Sequence, residues 1–155
     1  MTVETKTNLT DESLTMLQDL ISVNLDSEKG FTEVGEHCGG NTIVIGLCEE
    51  LARQRAANAR ELQALVGING EQPEETGTVA GTCHRFLLDL RGKLGGGVPV
   101  MMIEAARGEE FIKSKYEAAL KEHAGSAVTD VLNRQYVGLQ DAYTRICNLK
   151  EVTNA

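Results

Sequence analysis

Large aromatic side chains are nearly missing from this sequence: it has no Trp, three Tyr and three Phe, and aromatics make up 4% of its residues. A core without large rings has to be assembled from Leu, Ile, Val, Ala and Met, most of which suit helices. Sustained alternation of apolar and polar residues between hairpin turns is absent, which argues against a sheet; residues 42–47 are rich in β-branched side chains but run straight into a helical pattern. No run approaches the roughly 20 apolar residues that a membrane span requires. The polar residues 1–8 lack both the basic opening and the apolar stretch of a secretory signal. A basic stripe is lacking as well. The formal charge is -8, and without a concentrated cationic surface there is little to gain from counterion release on nucleic acid or an anionic membrane. Cys38, Cys48, Cys83 and Cys147 form no C-x-x-C pair and stand at no zinc-finger interval from His, so reduced, buried thiols in a cytoplasmic protein are expected.

What is present is material for one domain: 155 residues, 41% of them apolar, are enough for a single core. Leu9-Thr10-Asp11-Glu12-Ser13-Leu14 reads as a helix start, with Thr10 as cap, two acids in the first turn and Leu9 stapled onto Leu14. The spacing predicts a helix to about residue 38, with Leu14, Leu17, Ile21, Asn24, Glu28 and Phe31 on one face. Gly39-Gly40 ends it, and Asn41 caps a second helix over about 42–66, with Val44, Leu47, Leu51, Asn58, Leu62 and Leu65 inward and Gly67 as its stop. Residues 69–77 form the clearest loop, and a short helix is expected at about 78–94, broken by Gly95-Gly96-Gly97. Pro99 opens a third long helix to about 122. The fourth follows Gly125-Ser126, carries Val128, Leu132, Gln135, Leu139, Ala142 and Ile146 on its inner face, and frays beyond Lys150. Rods of matched length pack as a bundle, in which the short first and last links force antiparallel hairpins and the long middle link carries the chain back. Residues 1–10 are expected to be a disordered tail and residues 11–150 the bundle.

Acids on apolar stripes are the feature that points to chemistry. Glu28 lies on the inner seam of the first helix, Glu109 occupies the same kind of place between Met102 and Tyr116, and Glu61 sits beside Leu62 on an edge of small and polar residues. An enclosed carboxylate is costly unless paired, protonated or bound to a cation. Gln140 and Tyr143 lie next to the Leu139–Ala142 seam of the last helix, so each helix contributes an oxygen donor. Such a set is what a carboxylate-bridged iron or manganese pair requires. The competing assignment pairs each seam acid with a basic neighbour, for which Arg55, Arg107 and Lys113 are candidates. His37 and His123 read as solvated, whereas His84 is a secondary candidate for a ligand or proton carrier set against an ordinary hydrogen-bonded histidine. No Ser or Cys has a recognisable base beside it, and the triple glycine lacks the Lys-Ser or Lys-Thr of a phosphate loop, so no nucleotide or organic cofactor is indicated.

Asp26-Ser27-Glu28-Lys29-Gly30-Phe31, Arg60 to Val66, Gly81 to Arg85, Ala106-Arg107-Gly108-Glu109-Glu110 and Arg134-Gln135-Tyr136, taken in this order, resemble an uncharacterised bacterial family of ferritin-like four-helix bundles. The resemblance implies an all-α, ferritin-like antiparallel four-helix bundle with an extra short crossover helix. It also implies metal ligands at Glu28, Glu61, Glu109 and Gln140, and oxygen-dependent oxidation of iron. The superfamily pattern places His three residues after the second and fourth of these; here those positions hold Ala64 and Tyr143. The alternative implied is a non-catalytic structural or protein-interaction bundle, stress-related by family association, that has lost the metal site. Self-association through an exposed helix face is expected in either case.

Overall fold

A computed structural model describes residues 3–77, 92 and 96–153, and within them four long helices: α1 (Asp11–His37), α2 (Thr42–Ile68), α3 (Val98–Glu122) and α4 (Thr129–Thr153). No strand occurs among the described residues; the one extended pairing there is an isolated bridge between Thr5 and Asn8.

The helix ends follow local chemistry. Thr10 accepts a bond from the Ser13 amide at 3.1 Å, and Leu9 and Leu14 are both buried, as a staple requires. Gly39 and Gly40 take positive φ to turn the chain, and Asn41 then accepts from the Ile43 and Val44 amides at 3.1 and 3.2 Å. The stop of α2 differs from expectation: the helix runs through Gly67 to Ile68 with Asn69 as its cap, because Gly70, at φ 82°, is the residue that turns left-handed. At the other terminus α4 continues past Lys150, and the Thr153 hydroxyl bonds the Lys150 carbonyl at 3.1 Å.

Side-chain bonds show how the helices are arranged. The end of α2 meets the start of α1, where Asn69 accepts from the Leu9 amide at 2.8 Å, and Ser13 lies 3.3 Å from Ser126 in the turn between α3 and α4. The starts of α1 and α4 and the finishes of α2 and α3 therefore share one end of the bundle, the near end. Helices α1–α2, α3–α4, α1–α3 and α2–α4 are neighbours, and α2 lies diagonally opposite α3. A chain leaving α2 at the near end has to return to the far end before α3 begins. Its first stretch does so along α1. Gln18 exchanges bonds with Gln72 and Glu74 at 2.9 and 2.8 Å, and Gly77 presses so closely on Asp26 that a Cβ would lie 1.8 Å from a carboxylate oxygen. This is the two-hairpin bundle with a long return connection that the link lengths predict; apart from Gly92, the crossover helix expected at 78–94 lies outside the described residues.

Residues 4–9 make bonds of their own to the bundle. The Glu4 carboxylate accepts from the Thr10 amide at 3.0 Å, Ser13 Oγ at 2.8 Å, Ser126 Oγ at 2.9 Å and the Ala127 amide at 2.8 Å, so it bridges the two hairpins. Partial burial alone would raise this carboxyl, but those four bonds outweigh it and hold it at about 2.

The core divides in two. Near-end residues such as Leu17, Ile21, Leu62, Val66, Ile112 and Leu132 form one buried cluster. Far-end residues such as Val34, Val44, Leu51, Met101, Met102 and Ile146 form another.

Candidate functional site

Between the two apolar clusters lies a polar waist. Each helix places one side chain in it by continuing its inward three-and-four spacing: Asn24 from α1, Asn58 from α2, Tyr116 from α3 and Gln135 from α4, all buried. Asn24 Nδ2 donates to the Tyr116 hydroxyl at 2.8 Å, which donates to Gln135 Oε1 at 2.7 Å. Gln135 Nε2 donates to the Asn58 carbonyl at 3.4 Å, and Asn58 Nδ2 donates to Asn24 Oδ1 at 3.5 Å. The contacts form a closed ring through all four helices. Burial pushes the Tyr116 phenol well above its ordinary value, against the opposing bond from Asn24, so the hydroxyl stays protonated and able to donate.

One turn toward the far end, Arg55 crosses the bundle diagonally from α2 to α3. Its guanidinium holds both carboxylate oxygens of Glu109, donates through Nε to Ser27 Oγ at 3.2 Å, and also bonds Gln54. Arg55 is 0% exposed and Glu109 1% exposed. The guanidinium carbon also lies 5.6 Å from the centroid of the Phe31 ring, within reach of a cation–π contact. Burial pushes the Glu109 carboxyl up from its ordinary value, and Arg55, with a smaller pull from Lys113, works against that shift. A planar guanidinium bound to both oxygens gives specific geometry to a pair that would otherwise be expensive to desolvate.

The acids expected to converge take different partners. Glu109 is enclosed, as its place on the stripe predicts, but its oxygens are held by Arg55. Glu61 has a side chain 36% exposed, is gripped by Arg134 at the surface, and accepts from Gln135 Nε2 at 2.7 Å. Bonding to Arg134 is the strongest of the influences that hold its carboxyl below the usual range. Glu28 is half-buried, and Gln140 is exposed. Tyr143 is half-buried with the Lys113 ammonium 4.4 Å from its ring centroid. Its hydroxyl is raised above its ordinary value by a bond to Cys147. His84 and Cys83 lie outside the described residues. Among the described residues no group of three or more His, Cys, Asp or Glu side chains is placed to hold a metal ion. The donor set does not fit a carboxylate-bridged metal pair, since two of its acids are already bound to arginines and its amide faces water.

Arg55 is the waist residue that the inward faces read from the sequence leave out. The step from Leu51 to Asn58 on α2 spans seven residues, and Arg55 falls between them at plus four and minus three, a core position by spacing alone. Cys38 and Cys48 are buried and unbridged, and burial, with a smaller contribution from Cys38, pushes the Cys48 thiol up to about 12, which leaves it inert as a nucleophile. No described helix is long and apolar enough to cross a membrane.

Residues 12–122 match a family described as a domain of unknown function, DUF2383, and the chain belongs to that family. The match takes in α1 to α3 and ends with α3. No curated protein matches the chain.

Proposed function

We propose that the chain is a non-catalytic scaffold or protein-interaction bundle, self-associating, whose core acids are balanced by arginine rather than by a metal. The observation that carries this reading is the enclosed Arg55–Glu109 pair. A guanidinium that occupies both oxygens of the most deeply buried acid among the described residues supplies the positive charge that an iron or manganese pair would otherwise bring. Arg134 does the same for Glu61 at the edge of the waist. The iron-oxidising alternative, with ligands at Glu28, Glu61, Glu109 and Gln140, requires Arg55 to release Glu109 and Gln140 to turn inward from the surface.

Anaerobic addition of ferrous iron, followed by air, tests the choice. The scaffold reading expects no stoichiometric iron on the protein and no oxidation faster than in buffer, with Glu28→Ala and Glu109→Ala unchanged in both respects. Stoichiometric uptake that disappears in Glu109→Ala would overturn it.

A further inference from the structure

We propose that the groove between α2 and α4 at the far end is the contact face for a second copy of this chain, related to the first by a two-fold axis. The proposal rests on the scaffold reading and names the surface such self-association would use. The groove is lined by Ile43, Gly46 and Glu50 from α2 and by Arg145, Leu149 and Val152 from α4. Its two helices expose Ile43 at 70% and Val152 at 72%, so large aliphatic side chains stand in water on both sides of one depression.

Charge selects the occupant. A chain carrying a formal charge of -8 repels its own copies over most of its surface. Among the described residues the charged groups lining this groove are one carboxylate and one guanidinium: Arg145 holds Glu50 through two bonds of 2.7 and 2.9 Å. Over its described residues the face is neutral and presents both signs, so a two-fold copy meets it with the same pair reversed and each Arg145 comes near the other copy's Glu50. A second groove, between the start of α1 and the end of α3, is similar in size, about 620 Å³ against about 670 Å³. That one sets Asp11, Glu12, Asp19 and Glu122 against Lys115, and two copies would bring like charges together there.

Gly46 adds an independent reason. A Cβ at this position would meet nothing within 4 Å among the described residues, so no contact there calls for glycine early in a helix, where it is unfavourable relative to Ala. The open floor leaves room there for a side chain of the second copy.

Sedimentation equilibrium of the full chain over a concentration series decides the matter. The wild type is expected to form a dimer, and Ile43→Asp and Val152→Asp to weaken it by about tenfold or more while far-UV circular dichroism and melting stay as they were. Glu50→Arg makes the face wholly basic and Arg145→Glu makes it wholly acidic. Each variant alone is expected to be monomeric, and an equimolar mixture to form a heterodimer, a rescue that damage to the fold does not produce. A wild type that stays monomeric overturns the proposal, as does a dimer indifferent to Ile43→Asp and Val152→Asp, or a mixture that does not associate. A monomer that takes up no iron removes the self-association and leaves the non-catalytic, arginine-balanced core standing; a dimer through this face that binds iron overturns the non-catalytic reading alone.

Discussion

The two halves of the core are built from different materials. The near-end cluster is dominated by branched aliphatics from all four helices, among them Leu14, Leu17, Leu20, Ile21, Leu62, Leu65 and Leu132. The far-end cluster is richer in small and sulfur-bearing side chains: Cys38, Cys48, Met101, Met102, Ala105, Ala106 and Ala142. The near end is also tied across its mouth by Glu4, whereas the far end leaves Ile43 and Val152 in water on two neighbouring helices. Branched side chains fix a single packing, while Met and Ala tolerate adjustment, so the near half specifies the bundle and the far half is free to serve as a surface. The polar waist separates the two and keeps them from merging.

The strongest way to break this division is to unbalance the waist. Glu109→Ala leaves the Arg55 guanidinium enclosed without its carboxylate and is expected to cost about 3–5 kcal/mol in urea denaturation. The double variant Arg55→Met, Glu109→Leu is expected to be neutral or up to about 4 kcal/mol more stable, with the two clusters joined into one. Next in size is a test of the near half: Leu17→Ala is expected to cost about 2–5 kcal/mol, whereas Met102→Leu in the far half conserves volume and is expected to cost less than about 1.5 kcal/mol.

The tie at the near end gives a smaller effect with a distinctive pH dependence. Glu4→Gln is expected to cost about 1 kcal/mol at neutral pH, since the group is only partly enclosed and solvent weakens its bonds. The Glu4 carboxyl is held at about 2, below its ordinary 4.5, so its contribution is complete above about pH 4.5 and is lost as pH falls through about 2. Thermal melts of wild type and Glu4→Gln should therefore converge in acid. The smallest change runs the other way: Gly67 is helical and exposed, with nothing among the described residues within 4 Å of an added Cβ, so Gly67→Ala is expected to stabilise the chain by up to about 1 kcal/mol.

Helix positions, caps and the two-hairpin arrangement were legible because they depend on local spacing and on link length. Thr10, Asn41 and Pro99 each act within a few residues of themselves. Glu109 was legible as an enclosed acid for the same reason. Its partner was legible only as one of three basic candidates, since Arg55 lies 54 positions away on a diagonal helix and the pairing is fixed only when the bundle closes. Gln140 shows how narrow the margin is. It follows Leu139, which is fully buried, yet a helix turns about 100° per residue, and that rotation carries the amide into water. Glu4 escaped detection because its ligands come partly from residues more than a hundred positions further along the chain.

The ring through Asn24, Tyr116, Gln135 and Asn58 has one more effect, on how the rods slide. Greasy surfaces alone resist axial slippage weakly, because one leucine can replace another a turn away. Directional bonds cannot be exchanged in this manner: shifting any rod by a single turn, about 5.4 Å, strands four polar groups in a dry interior. The ring thus acts as a vernier mark that every rod must meet, and it lets a chain poor in large rings settle on one alignment among several of similar greasiness.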